Sequence, residues 1–311
     1  MKKCVVIYNK HSGKTKKYDF IEEYEKILND NDYEVKFITS NYKGHVIDIV
    51  SELPNDTDLV LSIGGDGTFN ESMRGNFKRE KRLVLAHIPM GTTNDVGKMF
   101  GYEKDRIKNL QMLMEGTTRK MDVCTINGEP FIYVAGFGKF MNIPYETKRK
   151  AKKRFGYLAY VFNGVKNFFG PTNLHDLTFT VNGEEYNGLY SFLAVTNATR
   201  IAGMKIYDDI KLDDNKIEIL FCNIKKRKDI LKSLKYLRKT DITHVPGFYF
   251  YKSDCIKIKF NEESDIPWCM DGEEFDVHTN EVEIKIDPNT YIMMPSKNLG
   301  ELFSNKKKNG K

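Results

Sequence analysis

The apolar residues of this chain change rhythm about a third of the way along. Up to about residue 120, short β-branched runs alternate with segments whose apolar positions recur at helical spacing. Cys4-Val5-Val6-Ile7-Tyr8 reads as a first strand, bounded by Asn9. Phe20, Ile21, Tyr24, Ile27 and Leu28 then follow helical steps, which predicts a helix over residues 16–28. Residues 33–39 predict a second strand, and residues 45–53 a second helix ended by Pro54. Residues 59–63 predict a third strand, followed by a helix through Thr68 and Met73. A fourth strand is predicted over residues 83–88, then a helix to about Phe100 and another over residues 106–114. Strands alternating with helices predict an α/β, doubly wound and mostly parallel sheet. In such sheets ligands bind beyond the carboxyl ends of the strands.

From about Lys120 the alternation stops. Residues 123–126, 131–135, 177–181, 190–196, 217–221, 248–251, 256–260 and 282–286 all read as strands. Asn182-Gly183 is a hairpin signal between two of them. The second half is therefore expected to be an antiparallel β-sandwich or open barrel, with helical insertions at residues 151–169 and 227–238. The tail at residues 299–303 is expected to return to the first half. The predicted division is an α/β domain over residues 1–120 with 296–311, and a β-rich domain over residues 121–295.

Composition narrows the setting. The 311 residues are 40% hydrophobic and 30% charged, enough for buried cores in two domains. A net charge of +6 is mild and informative only where it clusters. The five cysteines form no C-x-x-C pair, which suits reduced thiols in a cytoplasmic protein. Scattered histidines without an H-x-x-x-H pair argue against zinc. Neither a signal peptide nor a membrane-spanning segment is expected.

Three loops at the predicted carboxyl edge carry candidate chemistry. Ile63-Gly64-Gly65-Asp66-Gly67-Thr68-Phe69-Asn70-Glu71 joins the third strand to its helix. Glycines allow close backbone approach, and a helix N-terminus offers free N–H groups to phosphate. Asp66 would hold Mg²⁺ or its water, or accept a hydrogen bond; the plainer reading is a glycine turn with Asp66 as helix cap. Asn9 to Lys14 after the first strand can cradle phosphate through its backbone and Ser12, with Lys14 as a point charge, but lacks Walker A spacing. Gly91-Thr92-Thr93-Asn94-Asp95 opens a helix with hydroxyl and amide side chains. Far along the chain, Asp271-Gly272-Glu273-Glu274 sets acids around a glycine, suited to general-base and metal roles or to a plain turn.

Asn9-x-x-Ser12-Gly13-Lys14, Gly64-Gly65-Asp66-Gly67-Thr68-x-Asn70-Glu71, Pro89-x-Gly91-Thr92-x-Asn94-Asp95 and Asp271-Gly272-Glu273 occur in this order. Together they resemble the diacylglycerol kinase catalytic family, which also includes sphingosine and ceramide kinases, in its soluble bacterial lipid kinase branch. The resemblance runs from Asn9 to about Pro295. It implies a nucleotide-binding domain like that of NAD kinases and phosphofructokinases, a β-rich second domain, and an ATP·Mg²⁺ site. By resemblance, Asn9, Ser12, Gly13 and residues 64–70 face ATP phosphates, and Thr39 and Thr92 contact nucleotide. Asp66 is the essential acid of the glycine motif, Glu273 the general base, and Asp271 holds metal or positions substrate. The turn at residues 211–216 resembles the family's Asp-Asp-Gly turn, with Asn215 in place of glycine. There Asp214 would bind a structural Mg²⁺ with carbonyls of Lys211 and Lys216; a plain hairpin turn is the alternative. Lys10 replaces the family's usual proline.

The expected activity is ATP-dependent phosphorylation of diacylglycerol or a related lipid, giving phosphatidic acid in the first case. The rivals are an NAD kinase-like enzyme and a non-catalytic nucleotide- or lipid-binding regulator. Basic residues at 148–154 precede Phe155, Tyr157, Leu158 and Tyr160, a pattern suited to peripheral docking on an anionic membrane. No nucleic-acid module is recognised. An exposed strand edge in the β-rich domain leaves room for a homodimer.

Overall fold

The computed structural model describes residues 1–9, 20–138, 172–201, 204–205, 207, 210–226, 228–229, 244–261 and 266–304. Contacts divide the chain into two units: Met1–Val123 with Asp209–Asp214 and Asp287–Lys311, and Cys124–Asp208 with Asn215–Ile286. The expected helices at residues 151–169 and 227–238 and the basic stretch at 148–154 lie outside the described residues, except Lys228 and Asp229.

The first unit opens with β1 (Lys2–Asn9), α1 (Ile21–Asp30), β2 (Tyr33–Ser40), α2 (His45–Glu52) and β3 (Leu59–Gly64). It continues with α3 (Asp66–Phe77), β4 (Val84–Pro89), α4 (Asp95–Met99) and α5 (Arg106–Met114). The four strands lie parallel in the order β2-β1-β3-β4. The inner strands are buried on both sides, as a doubly wound sheet requires: every residue of β3 is buried, whereas the edge strand β2 is only partly covered. Helices pack in pairs, α1 with α5 and α2 with α3. The Tyr24 hydroxyl donates to the Arg106 carbonyl at 2.8 Å and ties α1 to the start of α5. Asp105 caps α5, accepting from the N–H groups of Ile107 and Lys108. Under α3, Phe69 stacks on His87 of β4 with ring centroids 5.0 Å apart, both fully buried.

The second unit begins within β5 (Thr117–Ile126) and continues through β6 (Glu129–Phe131), β7 (Val134–Gly138), β8 (His175–Val181), β9 (Glu184–Tyr190) and β10 (Phe192–Thr196). A small hairpin follows, β11 (Arg200–Ile201) with β12 (Met204–Lys205). Then come β13 (Ile217–Cys222), β14 (Phe248–Ser253), β15 (Cys255–Phe260), β16 (Trp268–Met270), β17 (Glu273–Phe275) and the first part of β18 (Glu281–Met294). One antiparallel sheet runs β14-β13-β10-β7-β16-β17; the other joins β18, β15, β8 and β9. Their facing side chains form one core, including Phe137, Phe179, Leu193, Phe221, Ile256 and Trp268. The β8–β9 turn carries Asn182 and Gly183 at φ 53° and 80°, the geometry expected of that dipeptide.

Three strand expectations are corrected. The apolar run at residues 131–135 is two strands, because the N–H groups of Ile132 and Tyr133 turn to a side chain instead of a sheet partner. The run at residues 190–196 breaks at Ser191, whose hydroxyl bridges the carbonyls of Cys222 and Ile224. The last strand does not stop at residue 286; β18 runs on to Met294, where Ile292 pairs in parallel with Leu85. Residues 287–295 therefore join the first unit, held also by the Arg82–Asp287 pair at 2.6 and 2.8 Å. The segment around Leu212 joins it too. The Leu212 N–H donates to the Leu302 carbonyl and its own carbonyl accepts from the Asp122 N–H, both at 2.7 Å; the tail helix α6 (Leu299–Leu302) lies in this unit.

Burial pushes His87 down to about 4, against the smaller opposing effect of its bond to the Ser62 carbonyl. The ring stays neutral in the fold while the unfolded chain takes up a proton near pH 6.5. Its contribution is complete above pH 6.5 and is lost as pH falls towards 4, by about 3 kcal/mol. Urea unfolding at pH 7 and pH 4.5 checks this: His87→Gln should shrink the acid-induced loss by about 2–3 kcal/mol.

Candidate functional site

Strand register gathers the loops of the first unit along one edge. Asn9 pairs with Ser40, Tyr8 with Ile63 and Gly64 with Pro89, so β1 to β4 finish level. Of the first loop, Ser12, Gly13 and Lys14 lie outside the described residues, and Asn9 is placed as the last residue of β1.

The loops after β3 and β4 touch backbone to backbone. A Cβ built on Gly91 would lie 2.7 Å from the Gly65 Cα and 2.7 Å from the Asn94 Oδ1. Only hydrogen fits there. Gly67 differs: it lies in the first turn of α3 with nothing within 4 Å of a built Cβ and no positive φ. Alanine there would favour the helix by about 1 kcal/mol. Neither crowding nor strain accounts for glycine at this point, whereas close approach of a ligand does.

Asp66 binds the two loops together. It is the first residue of α3, yet its carboxylate caps a different helix, accepting from the N–H groups of Asp95 at 3.0 Å and Val96 at 3.2 Å. Both belong to the start of α4. The cap residue of α4, Asn94, has φ 51° and turns its amide back on Gly91: Oδ1 accepts from the Gly91 N–H at 2.7 Å and Nδ2 donates to the Gly91 carbonyl at 3.0 Å. Carboxylate oxygens are hard donors, so Asp66 suits a hard cation or water in donor type. Glu71 accepts from the Gly44 N–H at 3.0 Å, fastening the loop after β2 to α3. Thr68 is buried, Thr39 and Asn70 are half-buried, and Thr92 is exposed.

In the second unit, Asp271 and Gly272 form the turn of the β16–β17 hairpin at φ 50° and 83°, with Met270 opposite Glu273. The Asp271 carboxylate accepts three backbone N–H groups, from Ile132 at 2.7 Å, Tyr133 at 3.0 Å and Val134 at 3.1 Å. Its own N–H donates to the Val134 carbonyl, and its carbonyl accepts the Tyr133 hydroxyl, both at 2.8 Å. These bonds fasten the hairpin tip to the gap between β6 and β7. Glu273 and Glu274 are exposed beside it. The two acids of the Asp-Gly-Glu motif thus differ: one fastens the turn and the other is presented by it. The partners at residues 132–134 escaped the sequence reading because backbone donors leave no compositional signal.

In the turn at residues 211–216, Asn215 takes a left-handed φ of 58°, which asparagine tolerates where the family has glycine. Lys211 Nζ donates to the carbonyls of Gly300 and Glu301, and the Asp213 carboxylate accepts from the Ser304 N–H at 2.7 Å. Among the described residues no group of three His, Cys, Asp or Glu side chains could hold a metal. A cation here would rely on Asp214 with carbonyl oxygens of Lys211 and Lys216, a set hard enough for Mg²⁺ in donor type.

Residues 3–126 match the family model described as the diacylglycerol kinase catalytic domain. The chain is 27% identical over 276 residues to a diacylglycerol kinase of Staphylococcus carnosus, covering 88% of this chain and 89% of that one. It is 24% identical over 307 residues to a diacylglycerol kinase of Bacillus subtilis, covering 97% and 99%. A crystal structure of a diacylglycerol kinase from Bacillus anthracis aligns over 95% of this chain and 98% of its own, with TM-score 0.75 and 20% identity, which supports the fold.

Different burdens on the two acids predict different costs. Asp271→Ala leaves three backbone donors without their acceptor and should destabilise by about 3 kcal/mol, and Tyr133→Phe by about 1 kcal/mol. Glu273→Ala should stay within about 0.5 kcal/mol, as at ordinary surface positions. Chemical denaturation of the three variants measures this directly.

Proposed function

We propose that this chain, a lipid kinase whose residues 3–126 match the diacylglycerol kinase catalytic domain, transfers the γ-phosphoryl group of ATP to the hydroxyl of diacylglycerol, yielding phosphatidic acid. The observation that carries this reading is the pair of backbone-lined loops at the carboxyl edge, joined by Asp66 and leaving open space at Gly67. Phosphoryl transfer asks a protein mainly for positioning and charge stabilisation, which such loops supply. The backbone of residues 65–67 and of the neighbouring loop at residues 91–94 holds the phosphates. Glu273 accepts the lipid hydroxyl proton as that oxygen bonds to the γ-phosphorus and the bond to the β–γ bridging oxygen breaks, releasing ADP. Asp271 holds the hairpin that presents Glu273. Mg²⁺, when bound, neutralises charge on the phosphates; Asp66 is its candidate ligand in the glycine loop, and Asp214 at the 211–216 turn.

Among the described residues no helix is long and apolar enough to cross a membrane. In this reading the lipid is met at a bilayer surface, and the basic stretch at residues 148–154 suits docking to anionic lipid from the cytoplasmic side. A homodimer through the β-rich unit is compatible with this reading.

Labelled γ-phosphate from ATP should appear on diacylglycerol in a thin-layer assay and not on NAD; label on NAD alone would replace this reading with that of an NAD kinase. Glu273→Gln should lower the transfer rate by at least about 10²-fold while ATP binding persists. Asp66→Ala should abolish lipid-dependent ATP consumption in a chain that still folds. Full activity of either variant would overturn the residue roles.

A further inference from the structure

The loop between β2 and α2 holds a feature that the phosphate site does not use. Tyr42 is 59% exposed, although it is a large aromatic residue. One face of its ring stacks on His45, with centroids 4.4 Å apart and planes 20° from parallel. Its hydroxyl donates to Asp48 at 3.3 Å. The His45 ring is held in turn, because Nδ1 accepts from the Asn41 N–H at 3.1 Å. An exposed ring would ordinarily sample several rotamers; this one is fixed on one face and open on the other.

Its place in the fold says what the open face suits. Tyr42 follows Ser40 by two residues, and Ser40 ends β2 level with Asn9. The loop is fastened to α3 through the Gly44 bond to Glu71, one helical turn beyond Gly67. In the order β2-β1-β3, two strand spacings separate this loop from the glycine loop, about 10 Å. A ribose and an α-phosphate cover such a span. The other large apolar residues exposed in the described part of this unit are Met1 and Tyr291. Met1 precedes the amino end of β1, and Tyr291 adjoins Ile292, which pairs with Leu85 near the amino end of β4. Tyr42 alone of the three stands at the carboxyl edge.

We infer that Tyr42, backed by His45, is the stacking platform for the purine base of the nucleoside triphosphate whose phosphates lie on the glycine loops. The inference rests on the kinase reading above and adds a subsite to it. Stacking on an aromatic face is sequence-tolerant, since every base has a π-face. The platform therefore contributes affinity for a purine in general and leaves the choice between adenine and guanine to other groups.

Calorimetry on the full chain separates the base from the phosphates, with Mg·ATP and Mg·tripolyphosphate as the two probes. Tyr42→Ala should weaken ATP about tenfold and leave tripolyphosphate unchanged, and Tyr42→Phe, which keeps the ring, should return ATP affinity to within about threefold of wild type. Wild-type ATP affinity in Tyr42→Ala would overturn the platform. Equal weakening of both probes would also overturn it, by placing the effect on the phosphate loops. A wild-type chain that binds neither probe would instead overturn the kinase reading beneath it.

Discussion

The contact on which the first unit's site depends is between two glycines. Gly65 and Gly91 bring the loops after β3 and β4 together closely enough that a single Cβ on Gly91 would lie 2.7 Å from its neighbour's Cα. Backbone amides can converge on one point only if no side chain intervenes, and polyanions are bound well by converging amides. Contact alone would leave the loops free to slide. Asp66 prevents that by starting one helix and capping the next, so α3 and α4 share a single carboxylate. Asn94 completes the arrangement by closing the second loop on Gly91.

The second unit solves a similar problem with the same chemistry. Asp271 spends its carboxylate on three backbone donors and its carbonyl on the Tyr133 hydroxyl. Three N–H bonds to one carboxylate fix a turn much more firmly than a two-residue hairpin loop does unaided. The reward is a presented residue, Glu273, whose direction is set by a neighbour in sequence rather than by burial. In both units an acid that reads as catalytic in the motif has an architectural duty as well. Its removal changes geometry along with charge, so alanine variants of Asp66 and Asp271 need a stability measurement beside any activity measurement.

Much of this was legible in the chain. Alternating strand and helix patterns announced the parallel sheet, and Asn182-Gly183 announced its hairpin, because both signals are local. Ordered motifs around Gly64, Gly91 and Asp271 pointed to the kinase family, and the match over residues 3–126 agrees. What stayed hidden depends on partners distant in sequence. The break after Phe131 exists because Asp271, some 140 residues on, takes the N–H groups there. Leu212 joins the first unit through Leu302 and Asp122, which no periodicity could reveal. Tyr42 belongs to no motif of the sequence; its stacking on His45 and its position at the sheet edge single it out.

The central claim is that converging glycine loops in the first unit bind the nucleotide's phosphates. Calorimetric titration of Gly91→Ala with Mg·ATP checks this, since the added methyl forces the loops apart while every acid of both units and Tyr42 stay in the chain. Affinity should fall at least about tenfold, in a chain with wild-type far-ultraviolet circular dichroism. Wild-type affinity in that variant would contradict it.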